Sequence, residues 1–320
     1  MTVPSNTYLR YTSIGVREDL ADVIYDISPT DTPIMSSIGK AKATQTNHEW
    51  QTDALAAATT ANALIEGDDA SAASLSPTTR VGNFTQIVGK TVQISGTLEA
   101  VDKAGRKSEK AYQLAKASAE IKRDIETIIT ANQGQAVGTS NSTARKMGSL
   151  LSYIKTNTSK NGTSVTGVDP TTIGVSTRTD GTVRTFTETI LKDVISKVFV
   201  SGGTPSALFV SPALKQVVSG FTGLAAQRYQ VPTSGQATIL AGADLYQSDF
   251  CVLQIVPNRF MRTRDALVLD PEYAALAYLR PFQTNELAKA GDSDKTQILA
   301  ELTLEVRNEA AHGGAFDLTA

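Results

Sequence analysis

Residues 95–132 read SGTLEAVDKAGRKSEKAYQLAKASAEIKRDIETIITAN, and the fold turns on this stretch. From Lys107 to Asn132 it holds neither Pro nor Gly, and its Ala, Glu, Lys, Leu, Gln and Ile are mostly good helix formers. Ser108 is placed to cap the start, and Gly134 lies just past the end. Leu114, Ile121, Ile125, Ile128 and Ile129 recur at helical spacing, with Ala111, Ala115 and Ala119 beside them. Lys116–Glu120 and Lys122–Glu126 read as i,i+4 pairs on the wetter side, worth about 0.2–0.5 kcal/mol each. At 1.5 Å per residue the helix is roughly 40 Å long. A helix of that length with a single apolar stripe is a beam along which something else packs. Before it, Leu98–Ala104 reads as a shorter helix set off by Gly105.

Upstream, residues 1–44 do not read as the start of a core. Leu20, Val23, Ile24 and Ile27 form a short amphipathic piece that stops at Ser28-Pro29. Thr32-Pro33 then opens a second short helix, with Ile34, Met35 and Ile38 apolar and Gly39 closing it. Such an arm must lie on another surface, in this subunit or in a neighbour. Residues 46–50 and 85–94 read as strands around a span, Ala54–Ser76, built of Ala, Thr, Ser and acidic residues. That span cannot bury much, and it predicts a long two-stranded protrusion anchored by its flanking strands and Trp50.

Downstream, residues 134–147 are polar and Met147–Ile154 is a short apolar piece. Residues 155–182 then hold 18 Thr, Ser, Asn or Gly among 28 positions, a pattern of loops and hairpins. An αβα unit follows. Residues 187–199 make an amphipathic helix with Ile190, Leu191, Val194, Ile195 and Val198 inward. Ala207–Val210 is a buried strand, and Ser211-Pro212 opens a helix running to Ser219. The remainder is β-rich: Phe250–Val256, Ala266–Leu269, Ala274–Leu279 and Gln297–Val306. In the last, Ile298, Ala300, Leu302, Leu304 and Val306 alternate with Glu301, Thr303 and Glu305, the signature of a half-buried strand.

The chain has 320 residues, a formal net charge of −2 and one cysteine, Cys251. There is no basic footprint for tight nucleic-acid binding and no run of 18 apolar residues for a membrane span. The N-terminus lacks an apolar signal region, so a soluble intracellular product without disulfides is expected. No catalytic constellation stands out. The two histidines, His48 and His312, lack metal-ligand spacing with Cys251 or with each other. Cys251 reads as a buried structural thiol. Gly89-Lys90-Thr91 ends like a phosphate loop, but Phe84 stands where the first glycine is required. Ser37–Lys40 matches S-x-x-K without companion motifs. Asp68-Asp69 and Asp292/Asp294 read as solvated loop acids rather than a cation site. Glu301 and Glu305 share one strand face, the only pairing a glycosidase reading could use. The expectation is a non-enzyme with no cofactor and no metal.

Several phrases, in order along nearly the whole chain, resemble a known family. Asp19–Pro33 (DLADVIYDISPTDTP) resembles the arm of the major head proteins of podovirus and siphovirus capsids. Residues 95–108 and Ile121–Glu126 resemble their spine helix, and Leu302–Gly313 (LTLEVRNEAAHG) is similar to their closing strand. The resemblance implies an α+β fold of the type named after the Hong Kong ninety-seven coliphage. It implies an N-terminal arm (1–44), an extended β-loop (45–94), a spine helix with a peripheral-domain segment and loop insertion (95–183), an axial domain (184–243), and return strands with the C-terminus (244–320).

The implied function is that of a major capsid protein, assembling with itself into pentamers and hexamers of an icosahedral or prolate shell. Such a shell encloses double-stranded DNA without sequence-specific binding and touches no membrane. Scaffolding, portal and decoration proteins are the implied partners, the virion the location and the host bacterial cytoplasm the place of synthesis. Leu20, Ile24, Ile27, Ile34, Ile38, Trp50 and Phe84 are the candidate inter-subunit contacts, so removal of residues 1–39 is expected to spare folding but not shell closure. Some members crosslink through a lysine in the extended loop; here no lysine lies between Lys42 and Lys90, so that chemistry is not expected. Some begin with a scaffolding segment that is cleaved; this short arm implies a separate scaffold or a processed form, and Met1 argues against processing. The alternatives are a bacterial nanocompartment shell and, remotely, a β-rich phage-associated hydrolase.

Overall fold

The computed structural model describes residues 28–67, 69, 72, 74–139, 142–162, 166–221, 243–289 and 291–320. The predicted beam is the third helix; the first two helices and the fourth strand pack against it, and six elements precede it in the chain. They are α1 (Pro33–Ser37), β1 (Gly39–Lys42), β2 (Asn47–Thr52), β3 (Thr79–Phe84), β4 (Gln86–Ser95) and α2 (Gly96–Ala100). Helix α3 itself spans Glu109–Thr130, 22 residues and about 33 Å. Its start is doubly capped. The Ser108 hydroxyl accepts the Ala111 N–H at 3.2 Å, and Glu99 of α2 accepts the N–H groups of Glu109 and Lys110. Gly105, at φ 75°, makes the turn that brings Glu99 back onto that helix start.

The stripe of α3 is narrower than the sequence implies. Ala117, Ile121, Ile125 and Ile129 are buried, Leu114 and Ile128 are half-buried, and Ala111 and Ala115 face solvent. The two expected i,i+4 pairs do not form as such. Glu120 pairs instead with Lys90 of β4 at 2.8 Å, which pulls its carboxyl below the ordinary range and stitches helix to sheet. Glu126 is fully buried.

Downstream come α4 (Leu150–Tyr153), β5 (Thr158–Ser159), β6 (Arg184–Thr185), α5 (Glu188–Val200), β7 (Ala207–Val210) and α6 (Pro212–Ser219). The chain closes with β8 (Leu245–Gln247), β9 (Val252–Pro257), β10 (Ala266–Leu269), β11 (Ala274–Leu287), β12 (Ser293–Val306), β13 (Gly313–Ala315) and β14 (Leu318–Thr319). Strands β11 and β12 form a hairpin of two 14-residue strands, with β1 parallel on one side and β4 antiparallel on the other: order β1-β11-β12-β4. Helix α3 lies across β4 and β12. The six-stranded sheet runs β5-β13-β10-β7-β9-β8, and β2–β3 and β6–β14 are two-stranded ribbons.

The six-stranded sheet divides the interior. In β7, Ala207 and Phe209 face the core built on α3, while Leu208 and Val210 face a second core holding Leu191, Val194, Ile195 and Val198 of α5 and Leu214 and Val218 of α6. Strand β10 repeats this, with Leu267 and Leu269 on one side and Ala266 and Val268 on the other. The unbroken apolar run ALFV follows from burial on both faces.

Three expectations need correction. Residues 33–43 are part of their own subunit's core and not only a contact arm: Ile34 and Ile38 are 0 % and 5 % exposed inside the α3 core, and β1 pairs with β11 from Gly39 to Lys42. Strand β12 is not half-buried, because Glu301 and Thr303 on its polar side are 3 % and 0 % exposed, covered by the 145–149 segment and β3–β4. Cys251 precedes β9 and is half-exposed rather than buried.

Candidate inter-subunit surfaces

Of the predicted contact residues, Leu20, Ile24 and Ile27 lie outside the described residues. Ile34 and Ile38 are consumed within their own chain, and the reason is Glu126. Pro33 at the first position of α1 has no N–H to satisfy, and Thr32 provides no side-chain cap. The next two N–H groups, of Ile34 and Met35, each donate to one carboxylate oxygen of Glu126 at 2.9 Å, and Asn258 Nδ2 donates to the same group at 2.6 Å. Burial pushes the Glu126 carboxyl up and the three donors pull it back, with burial the larger effect. A residue near the C-terminal end of the long helix thus caps a helix 92 positions earlier.

Trp50 and Phe84 sit at the root of the extended loop, and both are half-buried. Trp50 packs between His48 and Tyr153, with ring centroids 5.9 and 6.0 Å away. The β2–β3 ribbon runs in register from Asn47↔Phe84 to Thr52↔Thr79. Its base is fastened by side chains the sequence alone did not single out. Buried Asn83 donates to the carbonyls of Gly148 and Leu304 at 3.1 and 2.7 Å and accepts the Gly148 N–H at 2.7 Å. Tyr153 donates to the Gly82 carbonyl, and Thr303 to that of Phe84. His48 Nε2 lies 3.0 Å from Glu305 Oε2. The ribbon is rigid at its root.

Beyond the root the loop is bare. Every described residue from Asp53 to Thr78 is exposed, including Leu55 (99 %), Leu64 (89 %), Ile65 (76 %) and Leu75 (91 %). A second apolar surface lies at the β8 end of the six-stranded sheet. There Phe199 and Phe250 stack with centroids 4.6 Å apart and stay about half exposed, and Val200 beside Phe199 in the chain is 83 % exposed. Contiguous apolar groups of this kind mark contact surfaces.

The remaining titratable candidates are engaged in structure. Glu301 accepts from Arg145 (2.6 Å), Arg280 (2.9 Å) and Thr85 (2.7 Å), and Glu305 is paired with His48 and Arg307. His312 is fully buried, accepts the Asp270 N–H through Nδ1, and is pushed down to about 4 by burial. Residues 155–182, expected as loops, supply Asp169, Arg178 and Asp180 to a partly buried charge network with segment 262–265 and Asp317. Arg178 is paired with Asp169 and stacked on Phe316, Arg262 meets Asp180 and Asp265, and Arg264 meets Asp317. Burial pushes Asp265 up to about 6, partly opposed by Arg262. Among the described residues no group of three or more His, Cys, Asp or Glu is placed to hold a metal ion, and no helix is long and apolar enough to cross a membrane.

A projecting loop with exposed apolar side chains and a second apolar surface at Phe199 and Phe250 are features of a part made to contact copies of itself. Comparisons with known proteins agree. The chain is 28 % identical over 338 residues to the major capsid protein of Escherichia phage Phieco32, covering 97 % of this chain and 96 % of that one. Its structure is similar to the cyanophage A-1(L) capsid asymmetric unit, with a TM-score of 0.69 at 12 % identity over 95 % of this chain and 98 % of that one. It is also similar to the capsid of a native GTA particle, with a TM-score of 0.64 at 10 % identity over 97 % of this chain and 98 % of the other. At such identities the likeness speaks for the fold, which is that of the Hong Kong ninety-seven-type shells. The family model described as SU10 major capsid protein matches residues 3–319, and the chain belongs to that family.

Proposed function

We propose that this major capsid protein closes into the head of a tailed phage as rings of five and six copies around double-stranded DNA. The observation that carries the reading is the extended loop. A rigid, hydrogen-bonded root holds out a span on which Leu55, Leu64, Ile65 and Leu75 are almost wholly exposed. Exposing four large apolar side chains on one excursion is unfavourable in a monomer and favourable once a neighbour covers them. Each contact can be modest, because closure of the shell multiplies them. A net charge of −2 suits a lining that encloses DNA without gripping it.

In this reading Leu20, Ile24 and Ile27 of the arm, with Trp50 and Phe84 at the loop root, lie on neighbouring copies. The Phe199–Phe250 surface of the 184–243 axial segment and its adjoining strands meets its counterparts around the ring axis. Scaffolding, portal and decoration proteins would be the further partners, with synthesis in the host bacterial cytoplasm and residence in the virion. Electron microscopy of the purified chain, paired with mass by light scattering, tests the proposal. Shells, tubes or capsomer-sized rings are expected. A monomer that stays monomeric at high concentration and with crowding agent would overturn it.

A further inference from the structure

An open cleft of about 610 Å³ runs between α1, the edge strand β1 and the outer half of β11, on the same side as Lys122 of α3. Its volume is in the range of ligand clefts, roughly 300–1,000 Å³. Met35, Tyr278 and Phe282 supply an apolar floor, the two rings 6.4 Å apart, and all three remain half-exposed. Lys40 and Lys122 stand on the rim, both exposed, and neither forms an ion pair with a described residue. No acidic residue lines the cleft. It therefore presents two features together: an unfilled apolar floor and uncompensated positive charge.

Complementary features occur together on the extended loop. At the far end of the extended loop, Leu64 and Ile65 are 89 % and 76 % exposed and are followed at once by exposed Glu66. From Asp53 to Thr79 the sequence contains four acidic residues and no lysine or arginine. Leu64–Glu66 lies some 12 residues from either end of the ribbon, so a loop at about 3.4 Å per residue reaches roughly 40 Å from its root. In its own subunit this segment touches nothing that buries it.

We infer that the cleft is the seat for the Leu64-Ile65-Glu66 segment of a second copy of this chain, with the two side chains on Met35, Tyr278 and Phe282 and the Glu66 carboxylate between Lys40 and Lys122. The inference rests on the shell reading above and assigns the loop its landing site. The seat is built partly from α1, which Glu126 holds in place, so the capping interaction and the inter-subunit contact share one element.

Disulfide trapping tests it, in a Cys251→Ser background carrying Ile65→Cys and Pro281→Cys on the cleft rim. Particles formed under reducing conditions are oxidised and run on a denaturing, non-reducing gel. A ladder of linked subunits is expected for this pair and not for Ile65→Cys alone or for Ile65→Cys with Thr171→Cys. Particles without a pair-specific ladder would overturn the assignment, as would linkage confined to monomers, which would mean that each loop fills its own cleft. Should the paired variant not assemble, Glu66→Lys and Lys122→Glu give a second route. Each is expected to raise the protein concentration needed for assembly by about two- to fivefold, and the combination to recover it. Absence of recovery would count against the seat. If the unaltered chain forms no particles, the shell reading itself fails, and the seat falls with it.

Discussion

Glu126→Ala isolates the interaction that ties the start of the described chain to the spine helix. The substitution removes the acceptor for the N–H groups of Ile34 and Met35 and for Asn258 Nδ2. Hydrogen bonds to a charged group are worth about 1.5–3 kcal/mol each, and donors left buried without a partner cost a similar amount. Against this, the parent burdens itself by burying a carboxylate, a penalty of several kcal/mol that the upward shift of its pKa records. The balance is a net loss of about 2–4 kcal/mol, within the upper range of single substitutions. The loss should be local before it is global, because α1 has five residues and β1 four, and β1 is held by one neighbour. Limited proteolysis with mass mapping should show new cleavage between residues 28 and 46, while denaturant titration shows a lowered midpoint. Unchanged cleavage together with an unchanged midpoint would refute the claim that Glu126 anchors this segment.

The other predictions concern pH, the core and the arm. His312, depressed to about 4, stays neutral in the folded protein while the unfolded chain takes up a proton below about 6.5. Its stabilisation is therefore complete above pH 6.5 and is lost as pH falls towards 4, by about 3 kcal/mol. Asp265, raised from 3.8 to about 6, has the opposite sign: its contribution is complete below 3.8 and lost as pH rises through 6. Denaturant midpoints should thus fall less steeply from pH 6.5 to 4.5 in His312→Gln than in the parent; parallel slopes would exclude His312 as a source. Ile125→Asp puts an unpaired charge at a position that is 0 % exposed and should abolish soluble expression, whereas Ile125→Val should cost about 0.5–1.5 kcal/mol. Soluble, cooperatively melting Ile125→Asp protein would contradict the packing. Removal of residues 1–27 should leave the melting transition intact and abolish closed shells in micrographs. Removal of residues 1–42 should also unfold the subunit, since it takes away Ile34, Ile38 and β1.

What could be read from the sequence was whatever local chemistry decides. Helix α3 was found to within a few residues because propensity, an apolar stripe and the Ser108 cap agree, and α5, β7 and α6 because Gly-Gly, Ser-Pro and an unbroken apolar run punctuate them. Misreadings arose where a tertiary partner decides. Lys122 and Glu126 have the letters and spacing of a solvated pair, and only the arrival of α1 turns Glu126 inward. Strand β11 continues from Leu279 through Arg280-Pro281-Phe282 to Leu287 with no alternation to announce it, because pairing with β12 carries it across two register shifts. Asp317 carries no local sign of its partners, because Arg264 and the Gly181 N–H that meet it lie 53 and 136 positions away.

The candidate surfaces were legible in a different way. Composition marked residues 54–76 as unable to bury themselves, which is also why Leu64 and Ile65 stand exposed in the folded subunit. Ile34 and Ile38 looked equally unpartnered in sequence, and their own chain covers them. The difference lies in what each segment can reach. Residues 33–43 are short, and an acceptor in α3 and an open edge of β11 lie within their span. The loop is carried outward by a ribbon whose root is fixed by Asn83 and Tyr153, so its apolar residues are held away from the core that would otherwise take them. Rigidity at the root is therefore what turns a weakly hydrophobic loop into a contact reserved for another subunit.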